Sequence, residues 1–163
     1  MKAEDIKLME QAKIDFQVNK KSFLKITSKK KQNLDEIIHN LHHKEFKKRD
    51  CLDCANCCKT TSPIFRDIDI KRIAKHLREK ESNFINQYLR LDEENDWVLK
   101  SSPCPFLGID NKCEIYDVRP LACREYPHTD RKNNYQIANL TIANTLVCPA
   151  VVNIVNEIKI KFN

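Results

Sequence analysis

Cysteine is the residue type in this sequence whose placement most plainly invites chemistry. Four thiols fall within eight residues, Cys51-Leu52-Asp53-Cys54-Ala55-Asn56-Cys57-Cys58, in the spacing C-x2-C-x2-C-C. Two cysteines separated by two residues grip one metal ion from a tight turn, because the intervening backbone folds back and turns both sulfurs to one side. A third at the same interval repeats the grip. The neighbours Cys57 and Cys58 do not easily send both sulfurs to one mononuclear site. One of them is left for a second metal, for a neighbouring cluster atom, or for no metal. The segment reads as half of a site. Cys104, Cys113, Cys123 and Cys148 are available as the other half and bring the thiols to eight.

Eight thiols admit several centres. Two tetrahedral zinc sites would use four each. A binuclear zinc site would share bridging sulfurs. An iron–sulfur cluster would take four, since C-x2-C-x2-C is also a ferredoxin-type spacing. Zinc and iron both accept tetrahedral thiolate, so the spacing does not choose between them. A divalent metal on four thiolates carries a net charge of about −2, which is costly to bury unless donors and cations face it. Arg119 and Arg124 lie close in sequence to Cys123 and are placed to donate N–H bonds toward sulfur. The alternative is two surface arginines beside a loop. A thiol left out of the metal, Cys58 above all, is a candidate redox or nucleophilic cysteine.

Composition removes other chemistries. Gly108 is the single glycine. A dinucleotide fold, a P-loop or the glycine-rich loop of a typical methyltransferase each needs glycine where backbone meets cofactor, so none of these is built here. No stretch approaches the roughly 18 apolar residues of a membrane span, and the first residues are of mixed charge without a secretory pattern. The chain is therefore expected in the cytoplasm, where thiols stay reduced and clustered cysteines serve metal or redox chemistry; export would admit disulfides instead. Residues 1–50 carry 13 Lys+Arg against 8 Asp+Glu, whereas residues 51–163 carry 16 against 15. The basic excess precedes the cysteines. It offers phosphate contacts or an acidic partner's site, or is simply a solvated helical face.

The elements that must position the thiols follow from periodicity. A helix is expected over 4–18, then a basic connector from Lys20 to Lys31. A second helix is expected from a cap at Asn33 to about Lys48, with Leu34, Ile37, Ile38 and Leu41 on one face. His39, His42 and His43 ride on or beside it; any of them has a ligand's chemistry, but with this many cysteines they read as solvated or core-edge side chains. Helices follow with Ile70, Ile73, Ala74 and Leu77, and with Phe84, Ile85, Tyr88 and Leu89, inward. Asp92–Asp96 is a solvated acidic turn before a short strand at Trp97-Val98-Leu99. Residues 103–116 read as a hairpin around Gly108–Asn111 that brings Cys104 and Cys113 together. Pro120 and Pro127 bracket a short helix carrying Cys123. Residues 136–145 are ambiguous between strand and helix. Cys148 lies just before a last helix with Val151, Ile154, Val155, Ile158 and Phe162 on one face.

The fold class expected is α+β, mainly α: a small single domain of helices with a short β-hairpin, stapled by a cysteine-ligated metal. Its parts are a basic helical extension over 1–48 and a cysteine-cluster domain over 49–163.

The ordered set Cys51-x2-Cys54-x2-Cys57-Cys58, Cys104-Pro105-Phe106-Leu107, and Cys113-x-Ile115-Tyr116-x2-Arg119-Pro120-x2-Cys123-Arg124-x-Tyr126-Pro127 resembles the CxxCxxCC family. These are the YkgJ-like cysteine-cluster proteins, described as zinc- or iron-chelating domains. The resemblance covers about residues 50–150 and leaves the first 50 outside. It implies metal binding through these cysteines and no particular reaction. A similar cysteine pattern occurs in the larger flagellin lysine methylases. The expected function is thus a protein that binds zinc or iron, the iron as an ion or in an iron–sulfur cluster, whose metal is structural or redox-active and which acts through a protein partner. Two alternatives are an iron–sulfur enzyme, methylase-like or redox, and a zinc-stabilised module that binds nucleic acid through its basic N-terminal segment.

Overall fold

The structure is a computed structural model and describes residues 1–29 and 33–162. It is mostly helical, with a small two-stranded antiparallel sheet among the described residues. The α+β, mainly helical class read from the sequence holds. The contacts divide the chain into two compact units, one from the described residues of 1–54 and 127–163, the other from 55–126.

The first unit begins with α1 (Ala3–Ile14) and α2 (Phe16–Ser28), which meet at Asp15. One helix over 4–18 and a connector after it were expected. The chain turns at Asp15 instead: Ile14 and Val18 are 77% and 71% exposed, while Phe16 between them is partly buried against the core. The connector is helix: Phe23 and Ile26 are the buried anchors of α2. Lys30 and Lys31 of the basic run lie outside the described residues. Helix α3 (Leu34–Phe46) starts after Asn33, as expected. Asn33 does not cap it with its side chain; it adopts the left-handed region at φ 71°, which asparagine tolerates better than most residues.

A short helix, α4 (Cys51–Cys54), ends the first segment of this unit, and α9 (Ala138–Asn144) and α10 (Pro149–Phe162) return to it. The ambiguous stretch before Thr145 is therefore helical. Pro149 opens α10 at a position where its missing N–H costs nothing. Val151, Ile154, Val155 and Ile158 are buried against Phe23, Ile26, Leu34, Ile38, Ala138 and Ile142. Each such aliphatic side chain contributes about 1.5–3 kcal/mol of burial, so α10 is the spine of this unit.

The second unit holds α5 (Asn56–Thr60), α6 (Asp67–His76), α7 (Glu81–Tyr88), β1 (Leu89–Leu91), β2 (Trp97–Leu99) and α8 (Leu121–Glu125). The strands pair Leu89 with Leu99, Arg90 with Val98 and Leu91 with Trp97. The acidic stretch is the turn between them: Asp92 Oδ1 accepts the N–H groups of Glu94 and Asp96, both at 2.9 Å. The sequence placed Leu89 in the helix and missed β1. The hairpin expected over 103–116 is instead a loop with one bridge, Leu107 to Cys113, closed by Gly108 N–H to Lys112 O and Glu114 N–H to Phe106 O. Pro103 and Pro105 withhold the donors that a full strand pair would need. Phe65, Ile70, Ile73, Phe84, Leu99, Phe106 and Ile115 form this unit's core.

Among the described residues no helix is long and apolar enough to cross a membrane.

Candidate metal centre

Among the described residues the eight cysteines are thiols outside any disulfide. In the second unit, Cys57 and Cys58 ride on α5 with their Sγ atoms 3.9 Å apart. The Cys58 carbonyl accepts the Cys104 N–H at 2.8 Å, which ties the Cys104 loop to α5. The bridge at Leu107 and Cys113 folds Cys113 back toward the same loop. Cys104 and Cys113 both pack against the core of this unit. A helical turn at Tyr116–Val118 and then Pro120 lead the chain into α8, which carries Cys123.

The electrostatics tie these thiols together. The Cys57 thiol's hydrogen bond lowers the Cys58 thiol to about 7, aided by the charge of Lys59 and opposed by burial. Burial pushes Cys104 up to about 11 and Cys123 up to about 12, and raises Cys113 as well. After burial, the negative charge of Cys58 acts upward on all three. Cys58, Cys104, Cys113 and Cys123 are thus one neighbourhood. It holds one thiol that its neighbours leave easier to ionise, against burial, and three that burial makes harder to ionise. A thiophilic metal supplies a cation in place of the thiol protons, and the donor set fits zinc or iron in thiolate coordination.

In the first unit, Cys51 and Cys54 lie on α4, and Cys148 directly precedes α10. Burial raises the Cys148 thiol to about 11; the Val151 and Ala150 N–H groups lower it, and the charges of Cys51 and Cys54 raise it. These three thiols make a second group. Arg49 positions it. Its guanidinium donates to Asp5 Oδ1 of α1 at 2.5 Å and to Glu45 Oε2 of α3 at 3.4 Å, and the Asn153 amide donates to the same Glu45 oxygen at 2.9 Å. Asp50 then accepts the Leu52 N–H at 2.8 Å and starts α4. Nothing local marks Asp5, whose partner Arg49 lies 44 residues along the chain; Glu45 stands four residues before Arg49, but its second partner, Asn153, is 108 residues away.

The charge of Arg119 lowers both Cys113 and Cys123. Its guanidinium lies 3.7 Å from the Tyr116 ring centroid and donates to Tyr116 O at 2.5 Å. Arg124 is exposed; its backbone N–H donates to Pro120 O at 3.1 Å. Asp69, in the first turn of α6, helps hold the turn that carries Arg119. The buried Asp69 carboxylate accepts Arg72 Nη2 at 2.7 Å and Arg66 Nε at 3.0 Å. Arg72 then donates to Val118 O and Arg119 O at 3.2 and 2.9 Å. This relay fixes the turn between Cys113 and Cys123.

Thiols arranged for soft-metal coordination on a small helical scaffold define a metal-chelating class. The sequence model of CxxCxxCC, "Putative zinc- or iron-chelating domain", matches residues 50–148, and the chain belongs to that family. It is also similar to the uncharacterized protein MJ0661 of Methanocaldococcus jannaschii, at 32% identity over 87 residues, which are 52% of this chain and 47% of the relative. The match thus spans about half the length of that curated relative. No solved structure gives a significant match.

Proposed function

We propose that the protein chelates zinc or iron through Cys58, Cys104, Cys113 and Cys123 of the second unit, and that Cys51, Cys54 and Cys148 of the first unit are a separate thiolate group. The observation that carries this reading is the placement of the first four thiols: the Cys104 N–H bonds to Cys58 O at 2.8 Å, the Leu107–Cys113 bridge folds Cys113 back toward the same loop, and burial raises the Cys104, Cys113 and Cys123 thiols. Bound metal replaces the protons of these thiols and supplies either a rigid fixed point for the loops or a one-electron centre. The chain's own part is to hold the sulfurs, to set Arg119 against the charge of the thiolates, and to shield them from water. The metal is structural or redox-active, and the chain works through a protein partner. The cytoplasm is its compartment, because reduced thiols persist there.

The test is elemental analysis and visible absorption of protein purified without oxygen. Stoichiometric zinc in a colourless protein means a zinc centre. A brown protein bleached by dithionite means iron–sulfur. Protein that carries neither metal, and takes up neither after reduction, would end the proposal.

A further inference from the structure

Away from the cysteines, donors of a different kind meet on the first unit. His39 and His43 stand one turn apart on α3, at i and i+4, so their rings share a face. The ring centroids are 4.3 Å apart at 80°. Asp130 arrives from a loop 91 residues beyond His39, with its Oδ1 2.5 Å from His39 Nδ1. One donor atom from each of the three side chains falls within 4.8 Å of the other two, and all three residues are exposed.

The loop carrying Asp130 is held on both sides. Just before it, the buried Thr129 meets His42 Nδ1 through its hydroxyl at 2.8 Å. Just after it, Asp35 in the first turn of α3 accepts the Asn133 and Asn134 N–H groups at 2.6 and 2.9 Å. The helix that bears the histidines therefore also fixes the carboxylate against them. A His39–Asp130 ion pair alone would explain two of the three residues. It does not explain His43, whose ring packs edge-on against His39.

We propose that His39, His43 and Asp130 form a surface site for a first-row divalent transition ion, distinct from the thiols. Two imidazoles and one carboxylate suit such ions better than calcium or magnesium, and three protein ligands leave coordination positions open to water or an incoming group. Ligand atoms about 2.0–2.2 Å from one ion stand roughly 3 Å apart. Side-chain rotation closes the longer separations, and the His39–Asp130 contact opens slightly. The ion takes the place of the proton between His39 Nδ1 and Asp130 Oδ1, which leaves to water. His39 and His43 lie outside the residues matched by the family, and the site shares no residue with the thiol groups.

The test uses the full chain, as isolated with its thiol-bound metal, titrated with Ni2+ by calorimetry and checked by elemental analysis. One added equivalent of nickel is expected, with no loss of the resident metal. His43→Gln and His39→Gln should each weaken it at least about 10-fold, while His76→Gln, an exposed histidine on α6, leaves it unchanged. Should a variant fold poorly, paramagnetic broadening by Ni2+ in the wild-type protein decides: the ring signals of His39 and His43 should vanish before that of His76. No added equivalent, an equivalent unaffected by His43→Gln, or equal broadening of all histidines would overturn the site. Resident metal content is read separately, so a failure here is distinguishable from a failure of the thiol proposal.

Discussion

Asp69→Asn tests how the fold holds the turn between Cys113 and Cys123. The Asp69 side chain is 0% exposed. Burial alone would raise its carboxyl, but hydrogen bonds from Arg66 and Arg72 overcome that and bring it down from 3.8 to about 2. A depression of nearly two pH units corresponds to about 2 kcal/mol of stability at neutral pH. Asparagine keeps the shape and loses the charge, so Asp69→Asn should cost about 2 kcal/mol. For a chain of this size that is about 4–8 °C in melting temperature. The sign follows from the depressed value. The contribution is complete above the unfolded carboxyl's pKa and is lost as pH falls from about 4 through about 2. Melting of wild type and variant should therefore differ by a constant amount from pH 7 to 5 and converge toward pH 2. Comparing the two at each pH cancels thiol protonation, which both share. Arg72 also loses its anchor, so the variant should retain less metal after dialysis against a mild chelator. Equal melting at pH 7, or a gap that persists undiminished to pH 2, would refute the reasoning.

Cys123→Ser should lower metal content and melting temperature together, since metal-binding free energy is also folding free energy at such a site. If no single cysteine replacement changed either quantity, the thiols would not be the centre. Arg49→Met should destabilise by about 2–3 kcal/mol in urea unfolding, because it strands the Asp5 carboxylate, whose side chain is only 6% exposed. The nucleic-acid reading predicts salt-dependent binding to random RNA or DNA that weakens when Lys20, Lys21 and Lys25 are replaced by Gln; absence of binding at low salt in a mobility-shift assay would remove it. Deleting residues 1–48 is the wrong form of that test, since Phe23, Ile26, Leu34 and Ile38 would go with the lysines and leave α10 unpacked. Ala55 is buried with φ 47°, in the left-handed region. Ala55→Val, β-branched there, should lower melting clearly, while Ala55→Gly, which trades strain relief against a lost methyl and added chain entropy, should stay within about 1 kcal/mol of wild type.

The strongly periodic helices were legible because a buried face repeats in the sequence. Val151, Ile154, Val155 and Ile158 announce α10, and Ile70, Ile73 and Ala74 announce α6. What escaped was decided by contacts the pattern does not record. Leu89 continues the apolar face of α7, yet it pairs with Leu99 as a strand, because the acidic turn can close only if both flanks extend. The basic stretch after Lys20 has no clear period in the sequence, although two buried side chains, Phe23 and Ile26, suffice to seat a helix. His39, His43 and Asp130 could not be read as a set. The histidine spacing is local and visible, but the third donor depends on a loop pinned by Thr129 and Asp35, which no interval in the sequence encodes.

The cysteine spacing shows the same limit at the centre itself. C-x2-C-x2-C suggests one continuous grip if the intervening residues make one turn. Ala55 ends that continuity. Its left-handed φ closes the turn of Cys51–Cys54 and begins a separate one at Asn56. The first two thiols are then neighbours of Cys148, and Cys58 is a neighbour of Cys104, Cys113 and Cys123. The interval thus describes two short helices that each present their own sulfurs. Downstream, the members of each group come from elements that the cores of α10 and of Phe84 and Phe106 hold in place. A metal bound at either group would therefore report on the packing of that group's own core. For this reason, metal retention and melting should fall together in variants of Asp69 or Arg49, neither of which carries a sulfur.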